Sequence, residues 1–68
     1  MGSTYKIIEL VGTSEHSWED AAKSAVETAS ESLKDLRIAE IIKLDMTVEN
    51  GVVVSYRARL NVSFKYSK

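Results

Sequence analysis

Few residues of this chain could act in catalysis, and they are poorly grouped. The single histidine, His16, lies near Ser14 and Ser17, and a Ser/His pair can activate a nucleophile. The spacing provides no third group to orient the histidine, which favours a solvated loop residue. Glu19 and Asp20 are adjacent carboxylates at the start of a predicted helix, where capping explains them better than acid-base chemistry. We therefore predict that the protein is not an enzyme.

The composition argues against several other kinds of site and partner. There are no cysteines, and one histidine cannot form a His-cluster zinc site. The formal net charge of -1 argues against a dedicated nucleic-acid binder, which carries a basic stripe. No apolar run approaches the roughly 18 residues of a membrane span, and the first six residues contain no apolar signal region. We expect a cytoplasmic protein whose partners include neither nucleic acid nor membranes.

The hydrophobic pattern predicts a helix within a set of strands. Period-two alternation indicates a first strand over residues 4–11, ended by Gly12-Thr13-Ser14, and two long strands between residues 36 and 66. A helix is expected over residues 17–35, with Ser17 as its N-cap and a buried stripe made mostly of alanine. We predict one α+β domain over residues 1–68, in which a three-stranded antiparallel β-α-β-β sheet wraps around the helix.

The turn between the two long strands can be chosen by the parity of their apolar residues. A two-residue Asn50-Gly51 loop would place the even-numbered apolar faces of the strands on opposite sides. A three-residue loop over residues 49–51 pairs Val48 with Val52 and places both faces together. We predict the three-residue loop, and a β-bulge near residues 41–42, where the alternation changes parity.

This register predicts an unusual arrangement of charges. It places Lys43 opposite Arg57, and opposed like charges destabilise a sheet unless something anionic lies between them. Asp45, a bound anion or a carboxylate from a partner would serve. The basic row of Arg57, Arg59 and Lys65 has no aromatic residue on its face, so a solvated or interface row is favoured over a nucleic-acid surface.

The chain is also short for an independent domain. A protein of 68 residues buries a modest fraction of its surface, and small domains usually need disulfides, metals or association for stability. Without cysteines, association with copies of itself is the expected solution. In that setting Trp18, which belongs to the helical stripe, is interpreted as a core or interface anchor rather than a platform for a planar ligand.

These motifs resemble the dodecin family over nearly the whole chain. The resemblance implies a hollow dodecamer of β-α-β-β subunits that binds and stores small ligands. The residues that carry it are Val11-Gly12-Thr13-Ser14, Ser17-Trp18-Glu19-Asp20-Ala21-Ala22, Glu40 and Val62-Ser63-Phe64.

The resemblance also implies a flavin pocket, with two departures in this chain. The family places a tryptophan at position 38, which stacks on the flavin, and a glutamine at position 57, which bonds the flavin edge. Ile38 has no flat π surface, and Arg57 cannot accept a hydrogen bond. Binding of FMN or riboflavin is therefore expected to be weakened or lost. The pocket positions implied are Ile38, Glu40, Lys43, Asp45 and Arg57.

A subgroup of the family that lacks this tryptophan, the calcium dodecins, is similar at the Ser17-Trp18-Glu19 helix start. Resemblance to this subgroup implies calcium as an alternative ligand, with an ion-storage or structural role. The candidate calcium ligands are oxygen donors near the helix start, at Ser14, Glu15, Glu19 and Asp20, or on the sheet, at Glu40 and Asp45.

Overall fold

The computed structural model describes residues 2–66, which form one helix and three strands. In chain order these are β1 (Tyr5–Ser14), α1 (Trp18–Ser30), β2 (Leu36–Glu49) and β3 (Val52–Lys65). The strands form one sheet in the order β1-β3-β2, and both pairs of neighbours are antiparallel. The predicted β-α-β-β topology is therefore confirmed. Helix α1 lies against one face of the sheet, mainly over β1 and β3.

Strand β1 is longer than predicted, because Gly12 continues the strand instead of ending it. Gly12 pairs with Ala58, and β1 runs on to Ser14. A Cβ atom at Gly12 would collide with the carbonyl oxygen of Ala21 and lie 2.9 Å from Cβ of Ala25. The glycine is therefore explained by the close approach of α1, and the prediction that β1 ends at Val11 is wrong.

The start of α1 is as predicted, and its end is not. Ser17 has an extended backbone and its hydroxyl accepts a hydrogen bond from the Asp20 amide at 3.0 Å, which confirms it as the N-cap. The helix ends at Ser30, five residues before the expected end at Asp35. The Ser30 hydroxyl donates to the Glu27 carbonyl at 2.7 Å, an alternative bond that competes with helix continuation.

The turn joining β2 and β3 has two residues, so the predicted three-residue loop is wrong. Glu49 pairs directly with Val52, and Asn50 and Gly51 have φ values of 52° and 77°. Positive φ at both positions is the pattern of a type I′ hairpin, which Asn-Gly strongly favours. The two-residue turn does not put the apolar faces of the two strands on opposite sides, as the alternation had suggested. A bulge leaves Val54 on β3 out of the pairing register, and this extra residue changes which residues of β3 share a face with those of β2.

A second irregularity falls where the alternation predicted it. The register shifts between Ile41 and Lys43, which confirms the expected bulge at residues 41–42. A further shift lies between Leu36 and Ile38. On either side of the shift at residues 41–43, β2 presents apolar residues to the buried positions of β3, with Ala39 opposite Val62, Ile41 opposite Leu60 and Leu44 opposite Ala58.

The core of the subunit is small and lies between α1 and the centre of the sheet. Its fully buried apolar residues are Ala21 from the helix and Ala58, Leu60 and Val62 from β3. Ile8, Leu10 and Val26 are partly buried against this core. Many other large apolar residues are open to solvent, and Ile7, Ile38 and Val52 are each more than 60% exposed. No helix in the described residues has the length and apolar character needed to span a membrane.

The overall dimensions are those of an extended subunit. The principal extents are 53 × 20 × 14 Å, and the radius of gyration is 14.0 Å. A compact chain of this length would have a radius of about 11 Å. The accessible surface of 5254 Å² exceeds the roughly 4,300 Å² expected for a compact monomer of this mass. The excess surface is consistent with a chain that buries more area on association.

The contact at Gly12 predicts the effect of one added methyl group. Gly12→Ala should lower the free energy of unfolding by about 1–3 kcal/mol, because the helix must move away from β1. Chemical denaturation at fixed protein concentration measures this loss. Gly2→Ala is the matched control, since a Cβ there has no neighbour within 4 Å. Equal stability of the two variants would contradict the close packing.

Candidate ligand-binding face of the sheet

The sheet face opposite α1, here called the open face, carries all five predicted pocket positions. On β3 the even-numbered residues from Ala58 to Val62 are buried on the helix side, so the odd-numbered residues from Arg57 to Ser63 point to the open face. Directly paired residues share a face. The open face of β2 therefore consists of Ile38 opposite Ser63, Glu40 opposite Asn61, Lys43 opposite Arg59 and Asp45 opposite Arg57.

The strongest polar contact on the open face joins Asp45 and Arg57. Nε and Nη2 of Arg57 donate to the two carboxylate oxygens of Asp45 at 2.7 and 3.0 Å. The hydrogen bond from Arg57 is the main reason that the pKa of Asp45 lies below its usual value of 3.8. Both side chains are substantially exposed, so solvent screens this ion pair.

This pairing corrects the predicted arrangement of charges. Lys43 does not face Arg57, because the two-residue turn and the Val54 bulge shift the register by two residues. Lys43 faces Arg59 instead, so a pair of opposed like charges is still present. Sequence reasoning placed Arg59 in the basic row of this face but not among the pocket positions, since only the register identifies it as the partner of Lys43.

Trp18 anchors the helix to the sheet from the other side. Its indole Nε1 donates a hydrogen bond to the backbone carbonyl of Asp45 at 2.9 Å. Its ring packs edge-on against Tyr56, with centroids 5.1 Å apart and an interplanar angle of 71°. Asp45 is thus bound through its backbone by α1 and through its carboxylate by β3.

The four calcium candidates near the helix start are only partly brought together. Ser14 is 8% exposed, and its hydroxyl donates to the Asp20 carboxylate at 2.7 Å while accepting from the amide of His16 at 2.9 Å. Glu15 and Glu19 are exposed. Within residues 2–66 no three Asp, Glu, His or Cys side chains are grouped closely enough to hold an ion.

Sequence reasoning did not predict that the Ser14 hydroxyl forms several hydrogen bonds, to the Asp20 carboxylate and to the amides of His16 and Ser17. This hydroxyl links the end of β1 to the first turn of α1, and this explains why Asp20 turns towards Ser14 instead of closing a capping box with Ser17. The only local signal was a serine shortly before an N-cap, a position where hydroxyls often bond to the following backbone.

An open groove lies away from the predicted pocket. It has a volume of about 510 Å³ and lies between α1 and β1. No charged residue lines it, and its walls are apolar side chains interspersed with serine and threonine. None of the five predicted pocket positions lines this groove, so it is separate from the charged residues of the open face.

Comparison with known proteins identifies the family. The family model described as Dodecin matches residues 4–67. Calcium dodecin from Mycobacterium tuberculosis is 48% identical over 63 residues, which are 93% of this chain and 89% of that protein. Its crystal structure has a TM-score of 0.85 at 46% identity, covering 96% of this chain and 93% of the other. Dodecin from Thermus thermophilus is 37% identical over 65 residues, 96% of this chain and 94% of that protein.

The chain belongs to the dodecin family. The resemblance seen in its motifs is therefore confirmed, and so is the fold that the resemblance implied. The solved calcium dodecin is described as calcium-chelating, with a novel calcium-binding site.

The ion pair on the open face predicts a pH-dependent contribution to stability. Because the pKa of Asp45 is lowered in the folded protein, its ionised form stabilises the fold above pH 3.8, and this contribution disappears as the pH falls through the folded pKa. Asp45→Asn should therefore melt at a lower temperature than the parent at pH 7, and the two should converge well below pH 3.8.

Asp35→Asn is the control for this comparison. Its ion pair with Arg37 is longer, at 3.8 Å, so a smaller change is expected at pH 7. Melting curves from pH 2 to pH 8 provide the measurement. A constant difference between parent and Asp45→Asn across that range would show that the ion pair is not responsible.

Proposed function

We propose that this chain is a subunit of a hollow, non-enzymatic dodecamer that binds and stores a small ligand. The observation that carries the proposal is the open face. It gathers the five pocket positions on one surface, together with exposed apolar residues such as Ile7 and Ile38, which are 62% and 67% exposed. Association of copies through exposed apolar surface would both stabilise the subunit and enclose that face. The cytoplasmic location predicted from the sequence remains part of this proposal.

We propose further that flavin binding is weakened or lost in this member of the family. Ile38 provides an aliphatic surface on the open face where the family resemblance implies a stacking indole. Arg57 stands where the resemblance implies an amide, and two of its nitrogens already bond Asp45. A flavin would lose stacking at one position and an acceptor at the other.

Flavin titration tests this proposal. Addition of the parent protein should leave riboflavin and FMN fluorescence largely unquenched, whereas Ile38→Trp should strengthen binding about tenfold, corresponding to roughly 1 kcal/mol or more of stacking. Ile7→Trp is the matched control, because Ile7 is similarly exposed and faces Ser63 from the opposite side. Strong quenching by the parent with submicromolar affinity would refute weakened binding. If Ile38→Trp alone has no effect, adding Arg57→Gln should restore binding.

Calcium is the second candidate ligand. The observation that favours it is 48% identity to a calcium dodecin whose solved structure is described with a calcium-binding site. In this chain the candidate donors are Ser14, Glu15, Glu19 and Asp20, of which Ser14 and Asp20 are in direct contact. Calcium takes six to eight oxygen ligands, so water or a second copy would complete such a site.

Calorimetry separates the calcium proposal from the flavin proposal. Calcium should bind with measurable heat, and chelator should lower the melting temperature. Asp20→Asn should weaken calcium binding while keeping an oxygen that can accept from Ser14. Glu27→Gln, further along the same helix, is the control and should bind like the parent. A flat titration together with an unchanged melting temperature would remove this candidate.

A further inference from the structure

The turn between β2 and β3 combines several features that make an asparagine chemically labile. Asn50 is followed directly by Gly51, and both residues are exposed. They are the two central residues of the type I′ turn, with φ values of 52° and 77°. A Cβ atom built on Gly51 would meet no atom within 4 Å, so open space surrounds this peptide unit. Asparagine is one of the residue types that degrade chemically with heat.

The backbone nitrogen of Gly51 is accessible to the side chain that precedes it. Within residues 2–66 the Gly51 amide donates no hydrogen bond to another backbone carbonyl, since the strand pairing begins at Glu49 and Val52. Glycine also has no side chain to shield its own nitrogen. This nitrogen therefore has neither a backbone hydrogen bond to give up nor a neighbour that blocks it.

We propose that Asn50 is a site of spontaneous deamidation. The Gly51 nitrogen loses its proton to solvent base and forms a bond to Cγ of Asn50. The bond from Cγ to Nδ2 breaks, and Nδ2 leaves as ammonia after taking a proton from water. Water then opens the succinimide ring. Breaking the new bond at Cγ gives aspartate, whereas breaking the bond at the backbone carbonyl carbon gives isoaspartate.

The two products differ in their effect on the hairpin. Aspartate at position 50 keeps the turn, because Asp tolerates positive φ as Asn does. Isoaspartate adds a methylene group to the main chain, so the connection between Glu49 and Val52 becomes longer. Turn type and loop length fix the register of a hairpin, and the isoaspartate form should therefore loosen the pairing at this end of the ribbon. Both products add a negative charge beside Glu49.

The turn is expected to stay in water when copies associate. Glu49, Asn50 and Gly51 form a polar tip, whereas the apolar side chains of Val48 and Val52 are those that association would cover. Burying the Glu49 carboxylate without a partner would be costly, and the ion pairs within residues 2–66 join other residues. Solvent can then reach the reacting peptide in the assembled protein.

The second asparagine of the chain provides an internal control. Asn61 precedes Val62, whose side chain is 1% exposed. It lies in the central strand and pairs with Glu9 on one side and Glu40 on the other. The backbone there opens only when the sheet opens, whereas the tip of a hairpin opens locally at little cost. Deamidation is therefore expected at Asn50 and not at Asn61.

Peptide mass spectrometry of the parent protein, incubated at neutral and at alkaline pH, measures both sites. Cleavage after lysine and arginine places Asn50 in residues 44–57 and Asn61 in residues 60–65. Parent unfolded in guanidinium chloride gives the rate without structure, and light scattering records the mass of the folded samples. Asn50 in the folded protein should deamidate within about tenfold of the unfolded rate, and faster at higher pH, while Asn61 stays unchanged.

Two variants separate the effects of the products from other changes during incubation. Asn50→Gly cannot deamidate and keeps a Gly-Gly turn that type I′ geometry accepts, so its melting temperature should stay constant during incubation. Asn50→Asp supplies the aspartate product and should melt close to the parent. The isoaspartate form of the parent, separated by chromatography, should melt at a lower temperature.

Three results would overturn the inference. One is deamidation of Asn50 that is more than about tenfold slower in the folded than in the unfolded protein, because the turn would then be protective. Another is equal deamidation of Asn61, which would mean that the reaction follows unfolding of the whole sheet. The third is an isoaspartate form that melts like the parent, which would contradict the loss of register.

Discussion

The structure depends on a difference in length between the short helix α1 and the long β-ribbon, formed by β2 and β3, that it must cover. Helix α1 has 13 residues and is about 20 Å long, whereas each strand of the ribbon has 14 residues and spans roughly 46 Å. The helix therefore covers only part of one sheet face, and the close contact at Gly12 concentrates the core there. The rest of the apolar surface, including the hairpin around Val48 and Val52, stays exposed in the single subunit.

The open face owes its charge pattern to contacts made through the sheet. Trp18 bonds the backbone of Asp45 from the helix side, and Arg57 bonds the carboxylate on the other side. With Asp45 engaged twice, Lys43 and Arg59 are left opposite each other. A residue in the helix thus contributes to the arrangement of charge on a face that it does not touch.

Much of the fold could be predicted from the sequence, because its local signals agree with the packing. Ser17 caps the helix, the parity change at residues 41–42 marks a bulge, and the alanine stripe faces the sheet. The prediction of a three-residue turn was wrong because it assumed that the alternation of apolar and polar residues continues unbroken up to the turn. Val52, Val53 and Val54 are identical residues, so no alternation in the sequence could reveal that Val54 is a bulge. The site was likewise predicted in part: alternation placed its residues on one face, but the partner of Lys43 depended on the bulge at Val54. The reason for glycine at position 12 could not be predicted either, because it depends on how closely α1 approaches β1.

The central claim is that this subunit is stabilised by association, and its mass in solution tests that claim most directly. Multi-angle light scattering on the parent protein at low micromolar concentration should give about 91 kDa, twelve times the 7.6 kDa mass of the chain. The exposed apolar residues of the ribbon would then be covered by neighbouring copies. A folded species that remains at 7.6 kDa would contradict the account, because an extended chain with many exposed apolar side chains would then be stable in water without a partner.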